Sequence, residues 1–176
     1  ITWTATYDAN SSDAEGPVSF NVAFNNGAGI AGTNVTSGTG TVTTDLTLPT
    51  LSNVGIASNN STLNTLGING NEVTLSFTTS EPTPVANYNS VDFTSGSVAV
   101  TDDSILYSSN PARTIHTAKY TVMAGDTGGA VAYTINFRDR ADNSGTPVTS
   151  GSGSVTIDRT VPTLSTVGIA SNNSTS

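Results

Sequence analysis

Apolar and polar residues alternate along much of this chain. In EVTLSFTTS at 72–80, Val73, Leu75 and Phe77 alternate with polar neighbours, and in VAYTINF at 131–137 Val131, Tyr133, Ile135 and Phe137 do the same. Val18, Phe20, Val22 and Phe24 repeat the pattern nearer the start. A period of two is the signature of strands with one buried face. Shorter matches pair Val54 with Ile56, Val91 with Phe93, Val98 with Val100, and Val155 with Ile157, while Ala118, Tyr120 and Val122 form a further set. No stretch carries a helical stripe of useful length. Asn69-Gly70, GDTGG at 125–129 and SGSG at 150–153 supply the turns between them. About seven short strands in about 110 residues predict an all-β chain built as a two-sheet sandwich.

The pattern is also periodic on a longer scale. PTLSNVGIASNNST at 49–62 returns as PTLSTVGIASNNST at 162–175, with Asn53 replaced by Thr166 and every residue displaced by 113 positions. The same displacement aligns residues 16–50 with 129–163 without a gap, and TWTATY at 2–7 with IHTAKY at 115–120. A repeated unit of this length is the mark of a modular array. The expected division is the C-terminal part of one repeat at 1–48, a complete repeat at 49–161, and the start of a third at 162–176.

Composition narrows the possible partners. Charged residues are only 10% of the chain, and Ser, Thr, Asn and Gly make up about half of it, but 35% of residues are apolar and fall in ordered runs, which argues against disorder. A net charge of −8 with five basic residues argues against nucleic acid, whose phosphates need clustered Lys and Arg. There is no cysteine, hence no disulfide, thiolate metal site or cysteine nucleophile. No apolar run is long enough for a membrane-spanning helix, so direct membrane insertion of this segment is not expected.

GNEVTLSFTTSEP at 70–82, TWTATY at 2–7, FRDRADNSG at 137–145 and IDRTVPT at 157–163 together resemble the bacterial immunoglobulin-like repeats of large extracellular cell-surface and adhesin proteins. The likeness covers essentially the whole chain. Departures are Asn71, where the family often has an acidic residue, His116, where it has Trp (kept here as Trp3), and Arg159, where Thr is usual. The resemblance implies immunoglobulin-like sandwich modules in tandem, located outside the cell, that extend a binding tip from the surface. It does not imply catalysis.

In such a sandwich the chain enters at the end that carries the second-to-third and sixth-to-seventh strand loops, here SEPTP and RDRADNSG. The linker TDLTLPT arrives at the same end. Asp45, Glu81, Asp139 and Asp142, with Asn143 nearby, are therefore expected around one inter-repeat joint. Hard oxygen ligands drawn from a linker and two loops suit Ca²⁺, which takes six to eight oxygens, and related modules often rigidify their joints with calcium. The competing expectation is a joint neutralised by Arg138 and Arg140. The first copy is an internal control, since Asn26 and Gly29 stand where the second has Asp139 and Asp142.

Other candidate chemistry is sparse. His116 aligns with Trp3, so ring packing at a strand end is expected rather than acid–base work. Asp102-Asp103 lies in a turn-like stretch, and no nucleophile motif accompanies either feature. No enzyme is expected. Tyr88 and Tyr107 are the candidates for a carbohydrate platform, and Asn10, Asn34, Asn59, Asn60, Asn172 and Asn173 head N-x-S/T triplets. The expected function is a structural spacer in a long exported adhesin or fibre, whose partners are neighbouring repeats. Alternatives are a filament subunit completed by strand exchange with other copies, and a carbohydrate-binding module.

Overall fold

The computed structural model describes residues 2–84, 89–102 and 104–172, so Tyr88, Asp103 and Asn173 lie outside the described residues. The fold is all-β. Residues 1–48 contribute β1 (Gly16–Pro17) and β2 (Thr43–Thr44), which pair with each other. The rest contributes β3 (Leu51–Ser58), β4 (Leu66–Gly67), β5 (Glu72–Thr79), β6 (Asn89–Ser95), β7 (Val98–Ala99), β8 (Leu106–Ser109), β9 (Ile115–Thr121), β10 (Gly129–Phe137) and β11 (Thr156–Ile157). These form a four-stranded sheet ordered β3-β5-β9-β8 and a five-stranded sheet ordered β4-β11-β10-β6-β7.

The two sheets share one core, as expected of a sandwich. From the first come Ile56, Val73, Leu75, Phe77, Ala118 and Tyr120; the second adds Val91, Phe93, Tyr133, Ile135, Phe137, Val155 and Ile157. In β5 every second residue is buried, the direct consequence of a pleat with one face on the core. The Phe93 and Tyr120 rings meet with centroids 4.8 Å apart. Among the described residues no helix is long and apolar enough to cross a membrane.

His116 occupies an inward position of β9, stacked on Phe77 with ring centroids 5.4 Å apart. Its Nε2 lies 3.0 Å from Thr83 Oγ1 and 3.0 Å from the Arg113 carbonyl, which accepts from it, whereas Nδ1 is buried without a partner. Burial lowers its pKa from 6.5, against a smaller upward pull from the Arg113 carbonyl. A depressed folded pKa means that the unfolded chain binds the proton first. The contribution of neutral His116 is therefore complete above about pH 6.5 and is lost as pH falls through that value and below. Thermal melts from pH 8 to 5 should show this acid loss, and His116→Phe should be flatter over the same range. Parallel profiles for the two proteins would refute the assignment.

The 113-residue repeat is visible in the hydrogen bonding. Gly16↔Thr44 and Pro17↔Thr43 correspond to Gly129↔Ile157 and Ala130↔Thr156. The bridges Val22↔Val35 and Asn25↔Ala31 correspond to Ile135↔Val148 and Arg138↔Ser144. Glycine at positive φ recurs too, with Gly16 matching Gly129 and Gly40 matching Gly153. The pattern at 18–24 predicts a long strand, yet only β1 and isolated bridges form there. β10 is held along its length by β6, from Val131↔Ser95 to Phe137↔Asn89, and residues 18–24 have no equivalent partner among the described residues. Their apolar face, Val18, Phe20, Val22 and Phe24, is consequently exposed.

Candidate metal centre

Three segments converge where the linker meets the complete unit. Thr50 and Ser80 staple the linker to the end of β5: the Ser80 N–H donates to the Thr50 carbonyl (2.9 Å) and the Thr50 N–H to Ser80 Oγ (3.0 Å). Glu81 follows at once, its carbonyl accepting from Thr79 Oγ1 at 2.6 Å. Asp45 begins a turn in which its Oδ1 accepts the Thr47 N–H at 3.1 Å. Beyond β10, Asp139 is fully buried; its Oδ1 accepts the Asn143 N–H (2.8 Å) and its Oδ2 the Asn143 side-chain amide (2.7 Å). The same amide donates to the Asp45 carbonyl at 3.0 Å, tying loop to linker. Gly145 permits this approach, since a Cβ there would lie 2.8 Å from the Pro49 carbonyl.

Asp45, Glu81 and Asp139 each offer one carboxylate oxygen within 4.8 Å of the others. Oxygens bound to one Ca²⁺ at about 2.4 Å stand at most about 4.8 Å apart, so the donor set and its spacing suit that ion. A hollow of about 390 Å³ beside Asp45 and Glu81, lined also by Glu15 and Thr47, leaves room for water ligands. Glu15 is a fourth acidic group that the sequence did not disclose; it accepts from Thr47 Oγ1 at 2.7 Å.

The crowding has an electrostatic signature. The Glu81 pKa is raised from its usual 4.5 by burial first, then by the charges of Asp139, Asp45 and Glu15. An acid with a raised folded pKa destabilises the ionised fold above that pKa and is relieved as pH falls through it toward 4.5. In chelator, Glu81→Gln should therefore raise the melting temperature at pH 7 and have a diminishing effect toward pH 4.5. The same substitution should weaken calcium binding at pH 7. Calorimetry with and without chelator reads both, and a destabilised variant in chelator would contradict the crowding.

Asp142, expected at this centre, is not part of it. Its Oδ1 pairs with Arg138 Nη1 at 2.9 Å on an exposed surface. The reason is conformational: Asp142 has φ 72°, and its counterpart Gly29 has φ 81°, so the position demands the left-handed region that Asp tolerates and Gly prefers. Asn26, the counterpart of Asp139, accepts the Ile30 N–H at 3.0 Å, the equivalent of the Asn143 bond. The loop therefore closes without a charge, and the charge of Asp139 bears on the joint. Among the described residues, neither Arg138 nor Arg140 forms a salt bridge with Asp45, Glu81 or Asp139.

The remaining candidates make the following hydrogen bonds. Asp102 accepts the Ser104 N–H (2.9 Å) and the Thr121 N–H (2.8 Å). Tyr107, a candidate aromatic platform for carbohydrate, has its hydroxyl accepting the Val91 N–H at 3.0 Å. Asn60 donates its side-chain amide to Asn71 Oδ1 at 3.0 Å. Comparison of the chain with known protein families, with curated proteins and with solved structures finds no match.

Proposed function

We propose that this chain is a stretch of a structural spacer: immunoglobulin-like modules in tandem, belonging to a long exported cell-surface adhesin or extracellular fibre, with calcium stiffening the joint between modules. The observation that carries the reading is the recurrence of strand pairings at a displacement of 113 residues, because a single globular core has no reason to repeat its registers. In this reading each module contacts its neighbours, and reach grows with copy number. Asp45, Glu81 and Asp139 would hold the ion, which would neutralise their mutual repulsion and lock the linker to two loops of the following module. No catalytic step is part of the function.

Direction of the chain supports a rod. Gly55 and Ser152 pair in parallel, so the segment entering the complete unit and the segment leaving it run the same way. The chain enters near Ser80 and leaves near Gly67, whose carbonyl accepts the Asp158 N–H at 2.9 Å. The test is scattering from chains with one, two and three complete repeats. The maximum dimension should rise by a constant step of about 30 Å or more per repeat, the length of the nine-residue β10 at ~3.3 Å per residue. A dimension growing only as the cube root of mass would reject the spacer.

A further inference from the structure

The complete unit contains two parallel contacts, and both join the segment that enters it to the segment that leaves it. Gly55 lies beside Ser152, and Leu66 and Gly67 lie beside Thr156 and Ile157. Every other pairing among the described residues is antiparallel. Five hydrogen bonds make up the two contacts. The Ile56 N–H donates to the Ser152 carbonyl (3.0 Å), and the Val54 carbonyl accepts both the Ser152 N–H (2.8 Å) and Ser152 Oγ (3.1 Å). Farther along, the Thr156 N–H donates to the Thr65 carbonyl and the Asp158 N–H to the Gly67 carbonyl, each at 2.9 Å.

Glycine sets the closeness of the first contact. A Cβ on Gly151 would collide with the Val54 carbonyl and one on Gly153 with the Ile56 carbonyl, while one on Gly55 would press on Ser152 Oγ at 3.0 Å. Ser152 is itself exposed and adds nothing to the core. What it holds is the entering strand. β3 runs away from the linker and residues 151–158 run the same way, so tension on the two ends of the unit slides one segment past the other. Bonds loaded by sliding resist together, whereas those of an antiparallel pair pulled from its open end break one after another. We infer that these five bonds are a mechanical clamp, with Ser152 at its centre, and that the unit has the further function of resisting tension drawn along the chain. The direction of pull rests on the spacer reading proposed above. The clamp itself lies wholly within residues 54–158.

Forced unfolding follows the unfolding barrier rather than equilibrium stability, which gives the clamp a readout of its own. Gly151→Ala puts a methyl group against the Val54 carbonyl and parts the first contact. It should shorten the lifetime of the unit at constant force at least about tenfold. Val91→Ala removes buried volume from β6, away from both contacts. Its packing is still intact when the clamp gives way, so it should lower equilibrium stability yet shorten the lifetime less than about threefold.

The test pulls the full chain in chelator, so that calcium at the joint plays no part. The chain has no cysteine, so handles can be placed by substitution. Leu48→Cys with Val161→Cys, both exposed, loads the clamp by sliding. Thr127→Cys, also exposed, with Val161→Cys peels residues 156–157 from β10, starting at the open Gly129↔Ile157 end. At equal constant force the sliding geometry should outlast the peeling one by at least about a hundredfold, because its bonds must yield together rather than in turn. Equal lifetimes in the two geometries overturn the inference, and this comparison stands even where Gly151→Ala fails to fold. Gly151→Ala and Val91→Ala shortening the sliding lifetime only in proportion to their losses of equilibrium stability overturn it too. The scattering series judges the spacer separately. A constant step per repeat beside equal lifetimes defeats the clamp alone, and a compact array beside unequal lifetimes defeats the spacer alone.

Discussion

Phe137→Ala should unfold the complete unit far more readily, by about 3–5 kcal/mol, whereas Phe24→Ala should change stability by no more than about 0.5 kcal/mol. The two residues are counterparts in the repeat, but Phe137 is 3% exposed and Phe24 is 53% exposed. Phe137 lies over Gly145 and beside the Pro49 carbonyl, so its removal opens a cavity at the core and under the joint together. Phe24 lies over Gly32 in the same manner, but among the described residues no second sheet faces it. Thermal melts at protein concentrations low enough to keep chains apart should separate the variants by roughly 10–20 °C in melting temperature. Equal losses would mean that residues 18–24 are covered in solution, and the exposed face described above would be wrong.

Calcium should supply the second large effect. At a concentration about a hundredfold above its dissociation constant, an ion bound only by the folded joint adds about 2.7 kcal/mol, or roughly 5–10 °C for a chain of this size. Asp139→Asn should abolish that gain; in chelator it keeps the backbone bond that Asn26 makes in the first copy but loses the acceptor of the Asn143 amide, at a cost of about 1–3 kcal/mol. Asp142→Gly should keep the calcium response, because Gly29 fills that position in the first copy and Asp142 binds Arg138 rather than the cluster. Matching melts in calcium and in chelator for the unaltered chain would remove the metal from the account.

The contrast between the two copies also explains what could be read from the sequence. Alternation revealed β3, β5, β6, β9 and β10, since each has one face on the core, and the burial of β5 follows its letters residue by residue. β4 and β8 escaped detection. β4 is a two-residue parallel contact with β11, and β8 is an edge strand whose Leu106 faces solvent, so neither needs an apolar alternation. At 18–24 the pattern predicted a strand that is not built, because a pattern records which face would be buried, not whether a partner is present to bury it.

The joint was partly legible for a similar reason. Asp45, Glu81 and Asp139 were expected near one another because a sandwich topology brings a linker and two loops to one end, and their carboxylates do lie together. Glu15 was missed: it reaches the linker through Thr47 from the segment before β1, and its counterpart is Gly128, so the repeat offers no signal for it. Asp142 was misplaced because a turn-forming carboxylate and a ligating one look alike in a sequence. The signal that separates them was available in Gly29, since a ligand has no reason to alternate with glycine, whereas a left-handed turn does.

If calcium is held by Asp45, Glu81 and Asp139, it should turn a flexible linkage into a fixed one. Spin labels at Thr33→Cys and Leu106→Cys, both exposed and on opposite sides of the joint, report it directly in a chain that has no other cysteine. Pulsed electron–electron resonance should give one narrow distance distribution in saturating calcium and a broad one in chelator, with Asp139→Asn broad in both. A distribution equally narrow, or equally broad, in calcium and in chelator would contradict the claim.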